Sequence, residues 1–77
     1  MLMKLADGVK DNLYFVRGMS LPIKTAKRLE ALGMTAGTKI IILNKKKSAL
    51  VAEFRGTRFA LGKTIAKNIE IEAETEV

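Results

Sequence analysis

Arg28-Leu29-Glu30-Ala31-Leu32-Gly33-Met34-Thr35-Ala36-Gly37-Thr38-Lys39-Ile40-Ile41-Ile42-Leu43 holds a helix end, a turn and a strand in one continuous stretch. Upstream and into it, Ile23, Ala26, Leu29 and Leu32 recur at helical spacing, while Lys24, Lys27, Arg28 and Glu30 fall on the other side. Ser20-Leu21-Pro22 reads as the start of this helix. Ser can cap, and Pro tolerates the first turn because its missing N–H would be unpaired there anyway. Gly33 suits the left-handed position just past a helix, and Met34 supplies the apolar contact that accompanies such an ending. The spacing predicts one helix over about residues 22–32. Thr35 to Thr38 is a turn, and Lys39 to Leu43 is the strongest strand in the chain, apolar enough for burial on both faces.

Turn signals recur at strand-length spacing, roughly every 8 to 15 residues, as in a small all-β domain. Asp7-Gly8 precedes a strand at Leu13 to Arg17, with Gly18 as a bend or bulge. Asn44 to Ser48 forms a polar hairpin loop, and Leu50 to Phe54 returns as a strand. Arg55-Gly56 is a tight turn into a strand at Thr57 to Leu61. Gly62 to Asn68 makes a short helical turn. Ile69-Glu70-Ile71-Glu72 alternates at period two and closes the sheet with Ile69 and Ile71 inward. Thr75-Glu76-Val77 frays. The expected core is Phe15, Leu29, Leu32, Ile40, Ile42, Val51, Phe59, Leu61, Ile69 and Ile71, with Tyr14 as the exposed aromatic. So few short strands must hide their edges, and curling into a barrel does so. The expected fold is mostly β: a small SH3-like barrel of about five strands with one helix between the first two, residues 1–77 forming a single domain.

Composition narrows the chemistry. The 77 residues include no Cys and no His, which removes disulfides, thiol nucleophiles, the commonest general base and the soft metal ligands. No catalytic residue and no cofactor is expected. Gly62-Lys63-Thr64 has the ending of a phosphate-binding loop, but Thr57 stands where the first Gly is required. All 14 Lys and Arg and only four of the eight acids lie in residues 1–69, a balance of +10. Such a body attracts acidic partners. No apolar run approaches the roughly 18 residues of a membrane span, and the opening Met1 to Leu5 has no long apolar leader segment. A cytoplasmic protein is the expectation.

In order along the chain, several segments resemble one known family. Arg28 to Thr38 is similar to the "RL-x-x-LG(M/L)-x-x-G" segment of the FeoA family. Arg55-Gly56-Thr57-Arg58-Phe59-Ala60-Leu61 is similar to its "RG-x-x-(I/F/L)-AL" hairpin. Ala66 to Ile71 resembles its closing strand, and Leu5-Ala6-Asp7-Gly8 its opening. The chain departs from the family's common pattern at Lys45-Lys46-Lys47-Ser48, where many members have Gly-Pro, and at Ala36, where many have Pro. The resemblance implies an SH3-like fold and a non-enzymatic, regulatory role in bacterial ferrous iron transport. It implies as partner the cytoplasmic GTPase domain of the membrane permease FeoB. The same fold is appended to some metal-dependent repressors, so a stand-alone relative of that domain is one alternative. A basic barrel binding nucleic acid is another, disfavoured because such barrels offer exposed aromatics for stacking.

Lys24, Lys27 and Arg28 form the candidate partner-binding face, one that also reads as an ordinary solvated helix face. Lys45-Lys46-Lys47 reads first as a solubilising hairpin tip and second as an anion contact. Arg17, Arg28, Arg55 and Arg58 are the four possible arginine fingers toward a GTPase, and no spacing marks any of them. Glu70, Glu72 and Glu74 share a strand face but lack convergent ligands for a hard cation, so no metal site is assigned. Calorimetry with ferrous iron or a stable surrogate is expected to show no binding tighter than the micromolar range. A nanomolar one-site isotherm would demand a carboxylate cage that this reading lacks.

Overall fold

The computed structural model of the chain describes residues 2–73. Six strands follow one another: β1 (Leu2–Lys4), β2 (Leu13–Met19), β3 (Lys39–Lys45), β4 (Ala49–Phe54), β5 (Thr57–Gly62) and β6 (Ile69–Ala73). Helix α1 (Ile23–Ala31) lies between β2 and β3, and the four-residue α2 (Lys63–Ala66) lies between β5 and β6. A 3-10 turn occupies Leu5–Asp7. The last five strands are those the sequence patterns predict. The additional β1 is too short to show a period, and it forms because β6 offers an edge, pairing Leu2 with Glu72 and Lys4 with Glu70. The expected fraying at Thr75 to Val77 falls outside the described residues.

All neighbouring strands are antiparallel, in the order β1-β6-β2-β3-β4-β5. The sheet curls about one core. Its two edges are bridged by small elements: α2 packs on β4, β5 and the 3-10 turn, which itself packs on β6. Two bulges let so short a sheet bend this far. Arg17 is the extra residue where β2 passes β6, and Leu43 is the extra residue where β3 passes β4.

The core is Leu5, Tyr14, Val16, Leu29, Met34, Ile40, Ile42, Leu50, Ala52, Phe54, Leu61, Ala66, Ile69 and Ile71. Six of the ten expected core residues are in it. Of the other four, Phe15 and Val51 reveal a phase error, while Phe59 and Leu32 keep their expected places but are less buried. In β2 the inward residues are Tyr14 and Val16, and Phe15 is half-buried on the opposite face. Tyr14, expected at the surface, is 2% exposed because its hydroxyl finds a partner, accepting a hydrogen bond from the Val9 N–H at 2.8 Å. In β4 the inward set is Leu50, Ala52 and Phe54, which leaves Val51 half-buried. Phe59 is also half-buried, stacked on Phe54 with ring centroids 4.4 Å apart. Leu32 caps the helix rather than lying within it and is 44% exposed. Ile23, at the first helical position, is 72% exposed, so α1 buries Leu29 alone.

The helix begins differently from expectation and ends as expected. Pro22, not Ser20, occupies the N-cap, and no side chain caps the free amides. Ser20 instead donates its backbone N–H to Asn68 O at 2.8 Å. At the other end Met34 N–H donates to Leu29 O, and Gly33 N–H to Glu30 O, both at 2.9 Å. This is the paired ending that a left-handed residue makes possible, and Gly33 supplies it at φ +104°. A second glycine matters for space. Gly8 is buried, and a Cβ there would collide with Ile42 Cδ1 and crowd the Tyr14 ring.

Phe54→Ala is expected to cost about 3 to 5 kcal/mol, and Phe59→Ala less than half as much, since that ring is only partly buried. Urea titrations of both variants check the ranking, and the reverse order would show that Phe59 carries the core. Gly33→Ala is expected to lose more than about 1 kcal/mol, because the new Cβ is strained at positive φ and sits 2.8 Å from Arg55 Cγ. A melting temperature unchanged from the parent would contradict it.

Candidate interaction surface

The buried side of α1 is Leu29, with Thr25 and Ala26 half-buried beside it. At 3.6 residues per turn this directs Lys24, Lys27 and Arg28 outward within an arc of about 100°. All three are exposed, and none forms an ion pair among the described residues. The structure thus brings together the three cations singled out from the sequence. Ile23 and Ala31 are exposed alongside them.

The C-terminal end of α1 leads directly into a second basic feature. The buried Thr38 accepts a hydrogen bond from Thr35 N–H at 3.0 Å and donates its hydroxyl to Gly33 O at 3.1 Å. Val16 N–H donates to Thr38 O, and Gly37 N–H to Val16 O, so this connector is pinned to β2. From the far side of the sheet the β4–β5 turn reaches the same point: Arg55 Nε donates to Gly33 O at 3.2 Å. Thr35, Ala36, Gly37, Thr38, Lys39 and Arg55 line an open groove of about 380 Å³. A shallower groove of about 250 Å³ continues it past Leu13, Ile41 and Glu53 and shares Lys39 and Arg55. No acid lines the first groove, and Glu53 in the second faces Arg58 at 3.6 Å. The strip is therefore electropositive. It can hold a carboxylate or an acidic segment, and it contains no nucleophile–base pair for chemistry.

Sequence reasoning missed Lys39 and Arg55 as members of this surface. One signal was present. Arg55-Gly56 is a two-residue turn between paired strands, with φ +55° and +75°. Such turns normally place Asn, Asp or Gly first, and an Arg there is a residue held in an uncommon conformation.

The other candidates fare differently. Arg17 is engaged, its Nε donating to Glu72 at 2.8 Å and its guanidinium lying over the Phe15 ring at 5.6 Å. The same bond holds the Glu72 carboxyl below its ordinary pKa. Stabilisation from that pair is complete above the usual glutamate range and is lost as pH falls through the lowered value. Arg58 pairs with Glu53 and Arg55 is tied to Gly33, which leaves Arg28 with no partner among the described residues. Glu70 and Glu72 lie on β6 and Glu74 falls outside the described residues; among the described residues no three acids converge. Lys46 and Lys47 project from the β3–β4 tip, whereas Lys45 reaches back to donate to Gly8 O at 2.9 Å.

Several solved proteins share this architecture. FeoA of Stenotrophomonas maltophilia, described as a prokaryotic SH3-domain protein and solved with zinc, is 25% identical. The match covers 91% of this chain and 89% of that one at a TM-score of 0.80. A FeoA-like protein from Clostridium acetobutylicum is 24% identical over 99% of this chain and 91% of its own, with a TM-score of 0.82. A manganese-dependent transcriptional repressor contains the same fold at 12% identity and a TM-score of 0.86, over 95% of this chain and 42% of the repressor. No functionally curated protein matches. The fold is SH3-like, the FeoA domain model matches residues 3–73, and the chain belongs to the FeoA domain family.

Proposed function

We propose that this protein is a non-enzymatic cytoplasmic accessory of a bacterial ferrous iron transport system, acting by contact with the GTPase domain of the membrane permease FeoB. Family membership supports the transport role. The observation that carries the mode of action is the exposed, unpaired set Lys24, Lys27 and Arg28 on α1. It is continuous at the helix end with the Lys39–Arg55 groove. Cations at such a surface steer an acidic partner and raise the association rate more than they deepen affinity. None of the described helices is long and apolar enough to cross a membrane.

Lys24→Glu combined with Lys27→Glu is expected to leave folding intact, since exposed substitutions change stability by about 0.5 kcal/mol or less. It is expected to slow association with the GTPase domain and to flatten its salt dependence. Association kinetics at low and high salt read both quantities. A parental protein that does not bind the GTPase domain overturns the reading as a whole. An unchanged on-rate and salt slope in the double variant moves the contact to the apolar hairpin surface around Ala49 to Leu61.

A further inference from the structure

We propose that the end of the barrel carrying the β3–β4 tip is a docking surface for an anionic lipid bilayer. Lys45, Lys46 and Lys63 surround a small crevice floored by Ala6, Ala49 and Leu50. Lys47 stands beside them at the hairpin tip, where Lys46 N–H donates to Ala49 O. The backbone fixes Lys63 there too, its N–H donating to Ser48 O at 2.9 Å. The bond from Lys45 Nζ to Gly8 O brings the turn after Gly8 to the same end, adding Lys10 and the exposed Val9. Five lysines thus share one end of the molecule. Asp7 and Asp11 are the acids close by, and neither forms an ion pair with these lysines.

This end is separate from the α1–Arg55 surface. The seven residues of β3 run from Lys39, in the groove, to Lys45, at the tip, a span of about 20 Å. Contact with a bilayer at one end leaves the other free for a protein partner.

The chemistry favours a lipid surface over a nucleic acid. Lysine is a hydrated point charge on a flexible aliphatic stem, suited to a diffuse field of headgroups. The patch contains no arginine fork for bidentate phosphate recognition. It also lacks an aromatic platform: Tyr14 and Phe54 are buried, Phe59 is stacked on Phe54, and Phe15 lies under Arg17. Val9, 58% exposed among the cations, supplies the apolar element of an interfacial contact.

Co-sedimentation of the full chain with vesicles tests this. Each lysine at an anionic surface is worth about fivefold in partitioning. Vesicles with about 30 mol% phosphatidylserine are expected to bind the protein far better than phosphatidylcholine alone, and binding is expected to fall with salt. Neutralising the tip with Lys46→Gln, Lys47→Gln and Lys63→Gln is expected to reduce partitioning at least about tenfold. Thermal melting verifies that this variant folds. The Lys24→Glu/Lys27→Glu protein is expected to retain more of its vesicle binding than the tip variant. Equal binding to both vesicle types overturns the proposal. So does an equal loss in the two variants, which would reflect overall charge alone. RNA that displaces the chain from vesicles at sub-stoichiometric amounts would identify the patch as a nucleic-acid site instead. None of these outcomes bears on GTPase-domain binding, so the two readings fail separately.

Discussion

The carbonyl of Gly33 is the point on which three parts of the molecule meet. It accepts from Thr38 Oγ1 and from Arg55 Nε, while the amide of the same residue closes the end of α1. Glycine is required twice over. The backbone sits at φ +104°, and the space a Cβ would fill is held by the Arg55 side chain. An L side chain there would face both the left-handed strain and the arginine stem at once. Through this junction the helix direction, the path of the connector into β3 and the position of the β4–β5 turn are set together. The groove between Thr35 and Arg55 is a consequence of the junction.

A thin core sets the other constraint. The chain has four aromatic residues, and only Tyr14 and Phe54 are fully inside. The remaining volume is filled by Ile, Leu, Val, Met and Ala from nearly every element, including Leu5 from the 3-10 turn and Ala66 from α2. These two small elements would be dispensable in a larger barrel. Here they plug the space between sheet edges that do not pair with each other, so the core depends on its lids as much as on its strands. Gly8 belongs to the same economy of space. Its missing side chain lets Tyr14 and Ile42 approach, and its carbonyl holds Lys45.

The pattern of what could be read from the sequence follows from these constraints. Alternation at Ile69 to Glu72 and the helix ending at Gly33-Met34 are local signals, and the structure keeps both. Phase in the aromatic strands was not carried by alternation. Leu13-Tyr14-Phe15-Val16 is apolar at every position, so period two offers no choice of face. What the strand pattern did not show was a partner outside the strand, the Val9 amide five residues upstream, which satisfies the Tyr14 hydroxyl and makes its burial tolerable. In Ala49 to Phe54 the alternation of Leu50, Ala52 and Phe54 was present but competed with Val51, whose β-branched side chain suits a strand on either face. The candidate surface was legible to the same degree. Lys24, Lys27 and Arg28 share a helical arc and were visible as such. Lys39 and Arg55 stand 16 positions apart in sequence and meet only because the sheet curls. Their proximity could be known only from the fold.

The way α1 is held bears on how it could work. A nine-residue helix is shorter than the roughly 12 residues at which an isolated helix becomes even marginally stable in water. It has no side-chain cap at its start and buries only Leu29. Its order must therefore come from its two ends: the Ser20 bond to Asn68 O and the core-packed Leu21 hold its approach, and the Gly33-Met34 bonds and the buried Met34 tie its C-terminal end to the sheet. The basic face is thus held from both ends of the helix rather than by burial along its length. A partner that engages Lys24 would act near the start of the helix, and one that engages Arg55 would act on its C-terminal anchor. Because Arg55 bonds to Gly33 O, withdrawing its guanidinium toward an acidic partner would loosen the bond that helps fix the helix direction. Binding in the groove and the orientation of the α1 cations are in this way linked through a single carbonyl, and a contact surface spanning both would be read by its partner as one unit.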